Sequence, residues 1–559
     1  MDNQRVILFF ALSFILLLLW QAWQQDYGEV APPVAESNAP AVEADVPQTP
    51  AASQAQAGSG AATPAPAAAP QSDQQGLLEK GQRIRVITDV LDVKIDTKGG
   101  DLRQADLLAY PVSIQQPDVP FRLMDDSGDD SGHRVFIAQS GLLSQQGAPD
   151  HHSKYRALQQ EYRLQDGRGE LRVPLVWESG DGVTVTKTYV FHRDSYVVEV
   201  EHKVENSAAR PWQGYQYRQF QRTEPTSDEK PAFIYTYTGG VIYSPEEKYE
   251  KIKFDDMRKA DLSRDIKGGW AAMIQHYFVG AWIPDQQEIN HYYSKGPEGR
   301  PFVLGLVSPS REVQPGASTV FSSRIYVGPK EQKRLKEVAE GLDLTVDYGV
   351  LTFIAKPIFW LLGYIHGVIG NWGWSIVVLT LLIKLMFYKL SETSYRSMAN
   401  MRRLQPKIAA LRERYGDDRQ RMSQAMMELY KTEKINPLGG CLPMLVQIPV
   451  FIALYWVLLE SVELRQAEFI LWIKDLSTKD PYYILPLLMG TTMFIQQKLN
   501  PPPPDPIQAK VLMALPFIFT LFFAFFPSGL VLYWVSNSTL SILQQWYITR
   551  RIEKAAVPI

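Results

Sequence analysis

After residue 350 the chain alternates between long apolar stretches and short polar links, the pattern of a helical bundle embedded in lipid. WGWSIVVLTLLIKLMFY (372–388), CLPMLVQIPVFIALYWVLL (441–459) and YYILPLLMGTTMFIQQ (482–497) each read as one span. The run 511–548 is too long for a single helix, about 57 Å at 1.5 Å per residue. Pro527-Ser528-Gly529 divides it into a tight hairpin of two spans. FIAKPIFWLLGYIHGVIG (353–370) is interrupted by Lys356, Pro357 and His366, and is expected to lie in the outer interface as an amphipathic helix.

A further apolar run, Val6 to Leu19, follows one arginine and ends at Trp20 and Trp23. No small-x-small cleavage site follows closely, so 1–23 reads as an uncleaved anchor. Residues 24–76, rich in Ala, Pro, Gln and Ser, carry too few large apolar groups to fold and read as a disordered tether. Charge assigns the sides. The 391–440 loop holds ten Lys/Arg against six Asp/Glu, whereas 460–481 holds three against five. Positive charge stays inside, so 391–440 and both termini are expected in the cytosol, with the 77–342 domain outside.

That domain has a different period. VTVTKTYVF (183–191) and YVVEVEHKVEN (196–206) alternate apolar and polar residues, and RIRVITDVLDVKI precedes a Gly99-Gly100 turn. Alternation broken by Gly, Pro, Asn and Asp predicts an all-β antiparallel sandwich, closed by a helix over 329–342. The fold class is thus a multi-domain membrane protein: an α-helical five-span bundle (371–550), an N-terminal anchor helix, and an extracytoplasmic β-sandwich. One cysteine, Cys441, excludes a disulfide framework and a multi-cysteine metal site. His192, His202 and His276 lack metal-ligand spacing, and no cofactor is expected. A net charge of −3 carries no nucleic-acid signal.

Inside the bundle there is no Asp or Glu, and Lys384 is the only ionisable group well within a span. A charge there costs about 2.5–3.5 kcal/mol on insertion scales. Lys384 either snorkels to the inner headgroups or faces a hydrated interior. Thr380 and Tyr388, four residues either side, extend it into a polar stripe. Tyr533, Ser536, Asn537, Ser541 and Gln544 form a second stripe, and Gln447 adds a carboxamide between Pro443 and Pro449. Such groups avoid lipid and face inward, where they bond helix to helix or line a cavity. A lone cation without a carboxylate partner favours a water-filled cavity open to the cytosol.

The 391–440 loop reads as a helical hairpin turning at YGDD (415–418). Its methionines, Met398, Met401 and Met426 among them, either zip the two arms or offer an adaptable surface to apolar clients. Arg402 and Arg403 meet anionic lipid, a ribosome or a translocon, or else form a solvated face.

KINPLGGCLPMLVQIPVFIALYWVL (434–458), SVELRQAEFILWIKDLSTKDPYYILPLLMGTTMFIQQK (461–498) and FPSGLVLYWVSNSTLSILQQ (526–545) resemble the YidC family of membrane protein insertases, in its long Gram-negative form. The resemblance implies a hydrophilic groove, open to cytosol and lipid, in which a cation on the first bundle span meets the polar end of a client helix. That position is Lys384 here, where the family typically has Arg. Thr380 and the Tyr533-Trp534 pair fall where groove residues contact clients, with Trp534 in place of the usual Tyr. It further implies insertion and folding of nascent membrane proteins in the cell inner membrane, alone or with the Sec translocon, and contact with the ribosome and signal recognition pathway. The alternative, a secondary transporter, wants midplane coupling groups and paired repeats. An enzyme wants a nucleophile, base or metal constellation, and the sequence offers none.

Overall fold

The computed structural model describes residues 81–126, 134–225, 236–296, 301–415, 418–433, 442–500 and 506–555. The expected anchor (1–23) and tether (24–76) lie outside them, as does Cys441. The described residues form two compact units, 81–347 with 460–463, and 348–459 with 464–555.

The first unit consists of an eleven-stranded and a nine-stranded sheet. Alternation places the residues: along Val197–Asn206, Val198, Val200 and Val204 are fully buried and Lys203 is exposed. This strand pairs antiparallel with Val183–His192 on one side and Ser318–Pro329 on the other. Side chains of the nine-stranded sheet reach the backbone of the other. Lys187 Nζ donates to the carbonyls of Ser140 (2.7 Å) and Gly99 (3.0 Å), and Trp282 Nε1 donates to that of Gln219 (3.2 Å). The sheets therefore stack as a sandwich, with polar ties through an apolar core.

Three details go beyond the alternation seen in the sequence. The stretch RIRVITDVLDVKI is a hairpin, Arg83–Ile87 against Leu91–Asp96. Its turn is tied by Thr88 Oγ1, which accepts from the N–H groups of Val90 (3.2 Å) and Leu91 (2.9 Å). The short strand Glu161–Arg163 runs parallel to Arg83–Ile87, which the long connection between them permits. The helix expected over 329–342 forms in its middle part, and a further short helix lies earlier in the chain. α1 (Phe254–Lys259) buries Phe254 and Met257, and α2 (Gln332–Val338) is cut short before Gly341, whose left-handed φ of 72° turns the chain into a 3₁₀ turn, Leu342–Thr345.

Residues 460–463 complete this unit. Lys330 Nζ, 2% exposed, donates to Glu460 Oε2 and to the Thr345 carbonyl, both at 3.1 Å. Burial, with a smaller contribution from nearby Glu331, pushes the Glu463 carboxyl up to about 7.

The second unit is helical: α3 (Thr352–Ile369), α4 (Trp372–Met386), α5 (Tyr388–Arg403), α6 (Gln405–Tyr415), α7 (Arg419–Thr432), α8 (Leu442–Glu460), α9 (Ile484–Leu499), α10 (Pro506–Phe523) and α11 (Ser528–Ala555). The five apolar runs of the sequence correspond to α4, α8, α9, α10 and α11. Among the described residues, the helical stretch 349–369 alone is long and apolar enough to cross a bilayer unbroken. α3 buries Ala355, Ile358, Leu362 and Ile365 and exposes Phe353, Trp360 and Tyr364. α10 and α11 are parted at Pro527, where Ser528 Oγ donates to the Thr478 carbonyl (2.5 Å).

Candidate functional site

The faces of α4 sort by polarity. Leu381, Leu382, Leu385 and Met386 are exposed, while Ile376, Leu379, Thr380, Ile383 and Lys384 are buried. Lys384 lies in the last turn, with 8% of its surface exposed. Its Nζ donates to Ser541 Oγ on α11 at 2.7 Å. The Ser541 hydroxyl donates to the Asn537 carbonyl (2.7 Å), which leaves its lone pairs for the ammonium, and Tyr395 on α5 is its neighbour. Asn537 Oδ1 accepts from Gln447 Nε2 on α8 at 3.0 Å. A polar thread, Lys384–Ser541–Asn537–Gln447, thus links three apolar helices.

The expected stripe through Tyr388 does not form. α4 ends at Met386, and the chain bends by 68° into α5, which begins at Tyr388. The bend falls where the sequence changes from apolar to Lys389, Ser391 and Glu392, so Tyr388 belongs to a different helix from Lys384. Thr380 is buried, but its hydroxyl is spent on the Ile376 carbonyl of its own helix (2.6 Å). Ser541 is a protein partner for the Lys384 amine that the sequence reading did not name.

Tyr533 and Trp534 pack as aromatics. Tyr533 is 1% exposed and stacks on Phe451 of α8 at 5.8 Å. Trp534 meets Phe451 (4.8 Å) and Phe523 of α10 (5.7 Å), and its indole N–H is buried without an acceptor among the described residues. Neither is hydrogen-bonded to Lys384 among the described residues.

In the hairpin, Met398 and Met401 on α5 and Met426 on α7 are half-buried, whereas Met427 is 62% exposed. The first arm divides at Leu404, because Pro406 has no N–H to continue the ladder from α5. Arg402 and Arg403 are exposed and line an opening between α5 and α11. Ser541 was legible as part of a polar stripe, one turn past Asn537. Nothing in the sequence marked it as the partner of Lys384, or Tyr395 as its neighbour.

Residues 83–361 match the family model of the YidC periplasmic domain, and 364–555 that of the 60Kd inner membrane protein. A membrane protein insertase YidC from Thioalkalivibrio sulfidiphilus is 55% identical, with 99% of both chains covered. Its counterpart from Methylococcus capsulatus is 56% identical, again over 99% of both. Among solved structures, an active YidC insertase with its first transmembrane domain resolved aligns with 84% of this chain and 94% of that one, at 18% identity and a TM-score of 0.39. With relatives this similar from end to end, the chain belongs to the YidC family of membrane protein insertases.

Proposed function

We propose that this chain is an inner-membrane insertase and chaperone that takes nascent membrane proteins, alone or with the Sec translocon, through a groove centred on Lys384. The observation that carries the reading is a cation buried among apolar helices and held by a hydroxyl, with no carboxylate partner among the described residues: it attracts acidic or polar client segments. α4, α8, α9, α10 and α11 are read as five spans and 1–23 as a sixth. Both termini and the α5–α7 segment are then cytosolic, where α5–α7 meets the ribosome, and the β-sandwich is periplasmic. α3 is read as interfacial.

Helix length supports a lowered barrier. The 15 residues of α4 and 16 of α9 span about 22 and 24 Å, short of the ~30 Å hydrocarbon core. A thin, polar-lined path reduces the cost of passing a short hydrophilic tail, and the client helix then leaves into lipid along the exposed apolar face of α4.

The test is insertion of a small single-span client, synthesised in vitro, into liposomes holding only this protein, scored by protease protection of its tail. Protection is expected with the wild type and with Lys384→Arg, and is reduced with Lys384→Ala for clients with acidic tails. Protection unchanged in Lys384→Ala for every client would reduce Lys384 to a snorkelling residue. No protection even with the wild type would leave a chaperone that works only with the translocon.

A further inference from the structure

An opening of about 130 Å³ lies between α5 and α11, lined by Ala399, Arg402, Arg403, Thr549 and Ile552. It is separate from the Lys384 thread. Liquid water takes about 30 Å³ per molecule, so the opening has room for more than one small polar group. Two guanidinium groups and a hydroxyl share its wall with a methyl and a branched aliphatic side chain. Neither the Arg402 nor the Arg403 side chain has an ion pair or hydrogen bond among the described residues. Nearby cations do: Arg396 pairs with Glu392, and Lys407 with Glu433. Two adjacent, exposed, unpaired arginines at a built opening are donors in search of an acceptor.

α11 indicates what kind of acceptor. Just before Thr549 its outer face carries Leu543, Trp546 and Tyr547, which are 56%, 54% and 53% exposed. Directly after it come Arg550, whose guanidinium lies 5.2 Å from the Trp546 ring, and exposed Arg551. An apolar face that passes through exposed aromatics into arginines is the profile of a helix crossing the headgroup layer. The opening sits at that level.

We infer that this opening binds the phosphodiester of an anionic phospholipid. Arg402 and Arg403 hold the phosphate oxygens, the Thr549 hydroxyl donates to a third acceptor, and the acyl chains lie along Leu543, Trp546 and Tyr547. The inference rests on the reading of this face as the cytosolic membrane surface, but its test needs no insertion activity.

The full chain in neutral detergent is titrated with short-chain phosphatidylglycerol, and thermal unfolding and native mass spectrometry are read together. One phosphatidylglycerol is expected to bind, with phosphatidylcholine and diacylglycerol at least about tenfold weaker. Arg402→Gln/Arg403→Gln is expected to weaken binding about tenfold or more while its ligand-free melt stays that of the wild type. Arg402→Lys/Arg403→Lys recovers part of the affinity, and Arg414→Gln changes nothing. Equal binding by the double Gln variant would overturn the site. Inorganic phosphate binding as well as the lipid would overturn the lipid source and leave a phosphate-ion site. Lipid binding retained in the double variant, together with lost co-sedimentation with ribosomes, would overturn it in favour of an RNA backbone. An insertion assay that fails in the wild type while this lipid binding holds would count against the insertase reading alone.

Discussion

The amine of Lys384 and the hydroxyl of Ser541 lie 2.7 Å apart although 157 positions separate them in the chain. This bond joins the first bundle helix to the last and accounts for how a cation is kept inside an apolar assembly. Ser541 accepts because its own proton already goes to the Asn537 carbonyl.

Ser541→Ala removes that acceptor and leaves a buried ammonium with one fewer partner. The expected result is a loss of about 1–3 kcal/mol in bundle stability, the cost of an orphaned polar group. Insertion of acidic-tailed clients should fall, whereas Ser541→Thr, which keeps the hydroxyl, should stay close to wild type. Detergent-denaturant unfolding beside the liposome assay measures both, and an unperturbed Ser541→Ala would show that the bond is incidental.

Gln447 and Asn537 should be coupled across α8 and α11. A cycle of Gln447→Leu, Asn537→Leu and the double variant is expected to give an interaction of about 0.6–1 kcal/mol, the usual scale for interhelical side-chain bonds in membranes. Strict additivity would mean that the 3.0 Å bond contributes nothing.

Lys330 and Glu460 form an ion pair with side chains only 2% and 5% exposed. Lys330→Met strands a buried carboxylate and is expected to cost about 3–5 kcal/mol, while adding Glu460→Leu should restore most of the loss. Thermal unfolding of the three proteins tests this. A double variant as unstable as the single one would indicate that lost packing, not the unpaired charge, sets the cost.

Glu463 supplies a pH dependence. Burial raises its carboxyl from 4.5 to about 7, so between those values the folded chain holds a proton that the unfolded chain has released. Its contribution is fully stabilising below about 4.5 and is lost as pH rises through 7. Glu463→Gln should therefore unfold at a higher temperature than wild type at pH 8, by an amount corresponding to at most about 3 kcal/mol. The gap should close towards pH 5. A gap independent of pH would place the titration elsewhere.

Much of the architecture was written locally. Val198, Val200 and Val204 face the sandwich core because a strand turns successive side chains to opposite faces, whatever lies beyond. The apolar runs of α8 and α11 are likewise set by each residue's own preference for lipid over water. So is the break at Pro527, where a residue without an N–H interrupts the ladder. The polar residues Lys384, Gln447, Asn537 and Ser541 stood out for the same reason, since each is costly where it stands.

Tertiary structure decided their partners. Whether Lys384 meets water, Tyr388 or Ser541 depends on where α4 ends and how α11 is rotated against it. Both are set by many weak packing contacts summed across helices distant in sequence. The bend at Phe387 that removed Tyr388 from the stripe, the retreat of the Thr380 hydroxyl to its own backbone, and the opening beside Arg402 and Arg403 belong to the same class. Composition and order determined which residues required an explanation, and only the packed helices determined what each one touches.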